Sequence, residues 1–187
     1  CPGLKIVAPS MPYDAKGLLK AAIRDDNPVI CLEHKYLYRR IKENIPEDDF
    51  IVPIGKADIK REGRDITIIT YGAMVHTALE AAKLLEGKEI DIEVLDLRTL
   101  LPLDKEAIFS SVKKTNKAMI LHEATKTGGI GAEISSLISE EVFDHLDGPI
   151  IRIAAPDTPV PYSPPMEEFF IPNASDVIKA AERLAAY

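Results

Sequence analysis

Two short stretches hold residue types that could do chemistry. The first is AAIRDDNP, residues 21–28, where a helix end meets Asp25 and Asn27. The last-turn carbonyls of a helix have no partner inside it. Carbonyls of Ala22 and Ile23, with side-chain oxygens of Asp25 and Asn27, could converge on a hard monovalent or divalent cation. The same residues also suit a helix closing on an Asx turn. The second stretch is HEATKTGGIG, residues 122–131. His122 and Glu123 end an apolar run, at the edge where α/β proteins bind ligands, and could form an acid/base pair. No nucleophile or metal motif accompanies them, so a structural or interface role is expected. Gly128, Gly129 and Gly131 could offer backbone amides to a phosphate at a helix start. Close packing at a sharp turn is the better reading. The GxGxxG fingerprint is not met, and Glu133 puts a negative charge where a phosphate would sit.

Other chemistries lack their residues. His34, His76, His122 and His145 never fall at i, i+4, and there is no CxxC, so no zinc site is expected. No GxSxG elbow occurs, and Ser163 has no base beside it. The Gly-Lys pairs at 55–56 and 87–88 lack the preceding glycine of a P-loop. Lys35, Arg39, Arg40 and Lys42, flanked by acids, and the group Lys56, Lys60, Arg61 and Arg64, interleaved with acids, read as solvated faces.

The elements that must position these residues follow an α/β rhythm. LKIVA (4–8) and PVICLE (28–33) read as buried parallel strands around a helix. Ser10 is the expected cap of that helix, with Leu18, Leu19, Ala22 and Ile23 on its buried face. Residues 35–53 are charged and aperiodic, a linker. KADIKREG and RDITIIT then read as a hairpin turning near Glu62 and Gly63, or as neighbouring strands. A helix follows at 73–86 with Val75, Leu79, Ala82 and Leu85 inward and Gly87 as its stop. IDIEVLDL is a strand, 103–115 a helix begun by Asp104, AMILHE a strand, 131–143 a helix and PIIRIAA a strand. Residues 156–172 hold six prolines, yet Val160, Tyr162, Met166, Phe169 and Phe170 are apolar enough to predict an ordered crossing packed over the sheet edge. A final helix, 175–186, turns Val177, Ile178, Ala181, Leu184 and Ala185 to one side.

The chain has 187 residues, 46% hydrophobic and 28% charged, with a formal net charge of −7. That charge disfavours nucleic acid and anionic membrane as partners. No apolar run reaches the roughly 20 residues of a membrane span. Cys1 and Cys31 are expected to be reduced thiols of a cytoplasmic protein. Residues 65–187 make a complete layered α/β domain, whereas two strands and one helix before them cannot cover a parallel sheet. The opening CPGLKIVAPS therefore reads as a point inside a longer chain.

The segments PGLKIVAPSMPYDAKGLLKAAIRDDNPVICLEHKYLYR, PIGKADIKREGRDITIITYGAMV, EVLDLRTLLPLDKEAIFSSVKKT and HEATKTGGIGAEI add a resemblance that runs from Cys1 to the C-terminus. They closely resemble the β subunit of the thiamine-diphosphate-dependent component of 2-oxo acid dehydrogenases, of pyruvate, acetoin or branched-chain type. The resemblance implies a three-layer αβα domain of the transketolase C-terminal type at 53–187, preceded at 1–52 by the last βαβ part of a pyrimidine-binding domain and a linker. It implies oxidative decarboxylation on thiamine diphosphate with acyl transfer to lipoamide, in a heterotetramer of two α and two β chains. The family's catalytic glutamate and an active-site histidine have no matching position here. The GDG signature of the diphosphate and magnesium site belongs to the α partner and does not occur in this chain. The resemblance implies potassium at Ala22, Ile23, Asp25 and Asn27. It also implies docking of Asp147, in HLDGPI, on the peripheral subunit-binding domain of the acyltransferase core. Two rivals are a non-catalytic interaction module and a thiamine enzyme of transketolase type.

Overall fold

β1 (Lys5–Val7) and β2 (Val29–Cys31) pair in parallel, with α1 (Pro12–Ile23) crossing between them, as the sequence pattern requires. These positions come from a computed structural model that describes residues 2–187. Cys1 lies outside the described residues; Cys31 is a free, half-buried thiol.

The details of α1 differ from expectation. Its N-cap is Met11, which makes no side-chain cap. Ser10 instead donates its hydroxyl to Asp96, 2.5 Å away, and the Tyr13 amide is held by the Glu43 carboxylate at 2.9 Å. Only part of the predicted apolar face is covered. Leu18 is buried under Val52, but Leu19 is 43% and Ile23 76% exposed. The small sheet to which β1 and β2 belong is too narrow to cover the rest.

Residues 35–53 are irregular apart from one 3-10 turn at Lys35–Leu37. The segment then returns to α1. A side chain at Gly17 would fall 2.4 Å from Val52 Cγ2, so the glycine permits that approach.

The larger sheet has five strands, and its order corrects one expectation. β3 (Asp58–Arg61) is neither hairpin partner nor neighbour of β4 (Ile66–Thr70). Between them lies β5 (Ile92–Asp96), antiparallel to β3 and parallel to β4. The connection passes tightly over β5. A Cβ at Gly63 would lie 2.2 Å from the Glu93 nitrogen. β7 (Ala118–Thr125) and β8 (Ile151–Ala155) complete the parallel set beyond β4. A further strand unread in the sequence, β6 (Thr99–Leu101), leaves this sheet and pairs antiparallel with β1.

β4 and β5 are buried at every position. Ile66, Ile68, Val94 and Met119 face α2 (Met74–Leu85) and α6 (Ala174–Ala185) on one side. Ile69, Leu95 and Ile120 face α3 (Lys105–Thr115) and α4 (Ile130–Glu141) on the other. Alternate residues of one strand thus feed opposite layers. Each buried aliphatic contributes about 1.5–3 kcal/mol. This is the expected three-layer αβα arrangement.

Two segments differ from expectation. α2 runs into a 3-10 turn at Glu86–Lys88, and the left-handed residue that stops it is Glu89 (φ 57°), not Gly87. The proline-rich segment is ordered and contains α5 (Pro164–Phe170), but it does not pack as predicted. Only Phe170 is buried; Tyr162 is 99% and Phe169 86% exposed. Among the described residues, none lies over them.

Asp104 is read correctly. Its carboxylate accepts from the Ala107 amide at 3.3 Å and from the Ala57 amide at 3.1 Å, tying the α3 start to the residue that leads into β3. Asp104→Ala leaves both donors without their partner. It is expected to lower stability by about 1–2 kcal/mol in urea unfolding, with an unchanged slope.

Candidate functional site

The densest polar cluster lies where the two sheets meet, and β6 creates it. Leaving β5, the chain turns at Arg98, a non-glycine residue with φ 53°. The Arg98 carbonyl accepts from the Ala8 amide at 2.7 Å, which joins β1 to this turn. The same turn sends the guanidinium inward. Arg98 Nη1 donates to Asp14 Oδ1 at 2.9 Å, Nε to the Lys56 carbonyl at 3.0 Å and Nη2 to the Ala57 carbonyl at 3.1 Å. Lys60, from β3, donates to the other Asp14 oxygen at 2.5 Å and to Asp58 at 2.7 Å. Asp14 is 1% exposed and the Lys60 side chain 12%. Lys60 was expected on a solvated face, and so was Arg61, which is held by Asp91 at 3.0 Å. Both belong instead to ion pairs that fix β3 in place.

Asp96, fully buried at the end of β5, completes the cluster. Burial pushes its carboxyl up to about 6, against the hydrogen bond from Ser10 and the charge of Lys60 at 4.0 Å. His76 joins through its Nε2, which donates to the Ser10 carbonyl at 2.9 Å. None of these roles was read from the sequence.

His122 and Glu123 are adjacent on β7 and do not form an acid/base pair. His122 is fully buried, donates Nδ1–H to the Ala124 carbonyl at 3.0 Å, and burial lowers its basicity. Its ring fills the space beneath the glycine turn. A Cβ at Gly131 would fall 2.4 Å from Nε2, and one at Gly129 2.8 Å from Cε1. Gly129 and Gly131 serve close packing, as expected. Glu123 faces the other way and holds His34 Nε2 at 2.9 Å, a second tie between the β2 loop and the large sheet. Ser10, Met11, Glu33, His34, Leu37 and Tyr38 line a cavity of about 420 Å³ at the carboxyl ends of β1 and β2.

The helix end at residues 21–28 forms the Asx turn. Asp25 Oδ1 accepts from the Asn27 amide at 2.9 Å and from its side chain at 3.1 Å. Asp25 Oδ2 is held by the Lys5 ammonium, the main reason its carboxyl falls to about 2. The Ala22 carbonyl accepts from the Asp25 amide at 3.4 Å, and Ile23 is exposed. Asp147 is exposed, its amide bound to the Asn116 carbonyl at 2.8 Å. It lies between a polar hollow with Arg64, Lys114 and Lys117 and an apolar one with Phe143, Leu146 and Tyr187.

Among the described residues there is no group of three or more His, Cys, Asp or Glu that could hold a metal ion. With no such group, and with Gly129 and Gly131 packed on His122, the residues present do not fit a magnesium diphosphate group.

The family model for the transketolase C-terminal domain matches residues 55–177, and that for the transketolase pyrimidine-binding domain matches residues 1–41. The chain belongs to the transketolase C-terminal domain family. It is 55% identical to the 2-oxoisovalerate dehydrogenase subunit beta of Bacillus subtilis over 187 residues, all of this chain and 57% of that one. It is 48% identical to the pyruvate dehydrogenase E1 component subunit beta of the same organism, over 100% of this chain and 57% of that one. It is 50% identical to the acetoin:2,6-dichlorophenolindophenol oxidoreductase subunit beta there, over 98% and 53%. The chain thus spans little more than half the length of these relatives. A solved structure titled as a split-gene transketolase, inactive beta4 tetramer, superposes with a TM-score of 0.80 at 26% identity, over 99% of this chain and 58% of that one. Among the described residues of this family member, no helix is long and apolar enough to cross a membrane.

The raised Asp96 carboxyl gives a signed pH effect. Its folded value lies above the ordinary 3.8, so between about pH 4 and pH 6 the folded state holds the extra proton. This group's contribution to stability grows as pH falls through 6 and is complete below 4. Measured by urea unfolding from pH 7 to pH 4, the stability of the native chain relative to Asp96→Asn is expected to rise. A difference independent of pH would refute the assignment.

Proposed function

We propose that this chain is the C-terminal segment of the β subunit of a thiamine-diphosphate-dependent 2-oxo acid dehydrogenase. Residues 1–52 are the end of its pyrimidine-binding domain with a linker, and 53–187 its C-terminal domain. The observation that carries this is identity of 48–55% along the whole chain to three β subunits named for pyruvate, acetoin and 2-oxoisovalerate chemistry. In the full assembly, with magnesium, thiamine diphosphate supplies the carbanion chemistry. The residues described here position: Asp14, Lys60 and Arg98 lock the two domains of β together. The chain pairs with an α chain and a second β chain, and works in the cytoplasm. The fragment by itself is an interaction module.

Reconstitution tests the reading. Full-length β with its α partner is expected to reduce a lipoyl acceptor in the presence of pyruvate or 2-oxoisovalerate, or to cleave acetoin. Activity with none of them sinks it. Asp147 docks the acyltransferase core, where its charge and the apolar hollow beside it meet basic side chains. Asp147→Lys is expected to slow association with the peripheral subunit-binding domain by about tenfold at low salt. Unchanged association would remove Asp147 from the interface.

Potassium at Ala22, Ile23, Asp25 and Asn27 competes with the Lys5 ammonium, which shares the Asp25 carboxylate. Lys5→Met is expected to make the melting temperature rise with potassium concentration more steeply than in the native chain, with sodium as the control. No difference between the two ions would remove the cation site.

A further inference from the structure

The turn from β7 into α4 anchors the start of the proline-rich segment. Thr127 donates its amide to Asp157 Oδ1 at 2.9 Å and its hydroxyl to Oδ2 at 2.7 Å. The Lys126 amide donates to the Ala155 carbonyl at 3.0 Å, and Arg152 donates to the Lys126 carbonyl at 2.9 Å. Beneath this turn lies the His122 ring, wholly buried. Its Nδ1–H is used on the Ala124 carbonyl, so in the neutral ring Nε2 is the unprotonated nitrogen. That atom is buried, has no partner among the described residues and rests against Gly129 and Gly131.

We propose that His122 is an acid-operated release for this turn. A proton on Nε2 drives the ring out from beneath Gly129 and Gly131, opens residues 126–131 and frees the segment that Asp157 ties to them. The new N–H finds no acceptor in the closed turn, and a buried imidazolium finds no counter-charge. Arg152, from β8, repels it. Glu123, next to it on β7, is turned away and held by His34. Tyr71, after β4, stacks with ring centroids 6.5 Å apart, and burial keeps its phenol neutral. Glu133, in the first turn of α4, is exposed. Burial, with Arg152, holds the folded His122 below the ordinary 6.5, so the closed turn binds the proton less well than the open one. Closure is at full strength above pH 6.5 and weakens as pH falls below it. Asp157 stays ionised over this range, because the Thr127 bonds hold its carboxyl below the ordinary 3.8. Asp96 acts with the opposite sign, so global unfolding mixes the two and the test must be local. The surface carrying Tyr162 and Phe169 is thereby fixed at neutral pH and released in acid.

Amide hydrogen exchange followed by NMR from pH 7.5 to pH 5, corrected for the intrinsic pH dependence of exchange, provides that test. The amides of Lys126, Thr127 and Ala132 are hydrogen-bonded in the closed turn. Their protection in the native chain is expected to fall by about tenfold per pH unit below 6.5. The Met166 and Glu167 amides of α5 are expected to follow. His122→Asn keeps a side-chain donor for the Ala124 carbonyl and does not titrate, so its protection is expected to stay level over the same range. Protection that is independent of pH in the native chain, or an equal loss in the variant, overturns the proposal. The ring nitrogen shifts of the native chain give a second test that needs no variant. His122 is expected to remain the neutral Nδ1–H tautomer for as long as the turn is closed. An imidazolium signal from a turn that is still protected overturns the release.

Discussion

Asp14 buried against Arg98 and Lys60 is the interaction on which the rest depends. Asp14 comes from the first helix, Lys60 from the edge strand of the large sheet and Arg98 from the turn out of its second strand. A carboxylate taken out of water is tolerable only when paired and fully hydrogen-bonded, and removing one partner typically costs about 3–5 kcal/mol. Two cations share this one, and backbone carbonyls of Lys56 and Ala57 take two more of the guanidinium donors. A satisfied network of this kind has one geometry. It therefore sets the position of α1 relative to the large sheet more strictly than apolar packing alone would, since apolar contacts are non-directional.

The same seam explains the unusual course of the chain around it. Arg98 adopts a left-handed backbone, which a non-glycine residue seldom does. Its reward is that β6 can leave the large sheet and pair with β1, while the side chain turns back into the cluster. Ser10 is diverted from capping α1 for the same reason, because its hydroxyl compensates the buried Asp96 carboxyl. A buried acid next to the cluster is the cost of placing a strand end there. At the far edge, His122 under Gly129 and Gly131 does the corresponding work with packing instead of charge.

What remains uncovered is also informative. Leu19 and Ile23 on α1, and Tyr162 and Phe169 beside α5, are exposed although their sequences are those of packed segments. The chain spans little more than half the length of its relatives, and these surfaces have the composition of ones made to meet further protein. Helices cover both faces of the large sheet, whereas part of α1 beside the small sheet stays exposed.

The sequence by itself determined the layered α/β class, the strand and helix succession and the Asp104 cap. These depend on local periodicity and on side chains within a few residues of the backbone they serve. It also determined why the glycine turn is glycine-rich, because close packing was the reading that suited Glu133. It did not determine strand order, and the nearby strands β3 and β4 turned out to be separated by β5. Nor could it show that Lys60 is half-buried while Arg64 beside it in composition is exposed, or that Phe169 finds no cover. Those outcomes are set by which distant surfaces arrive alongside, and only the tertiary structure brings Asp14, Lys60, Asp96 and Arg98 to one place.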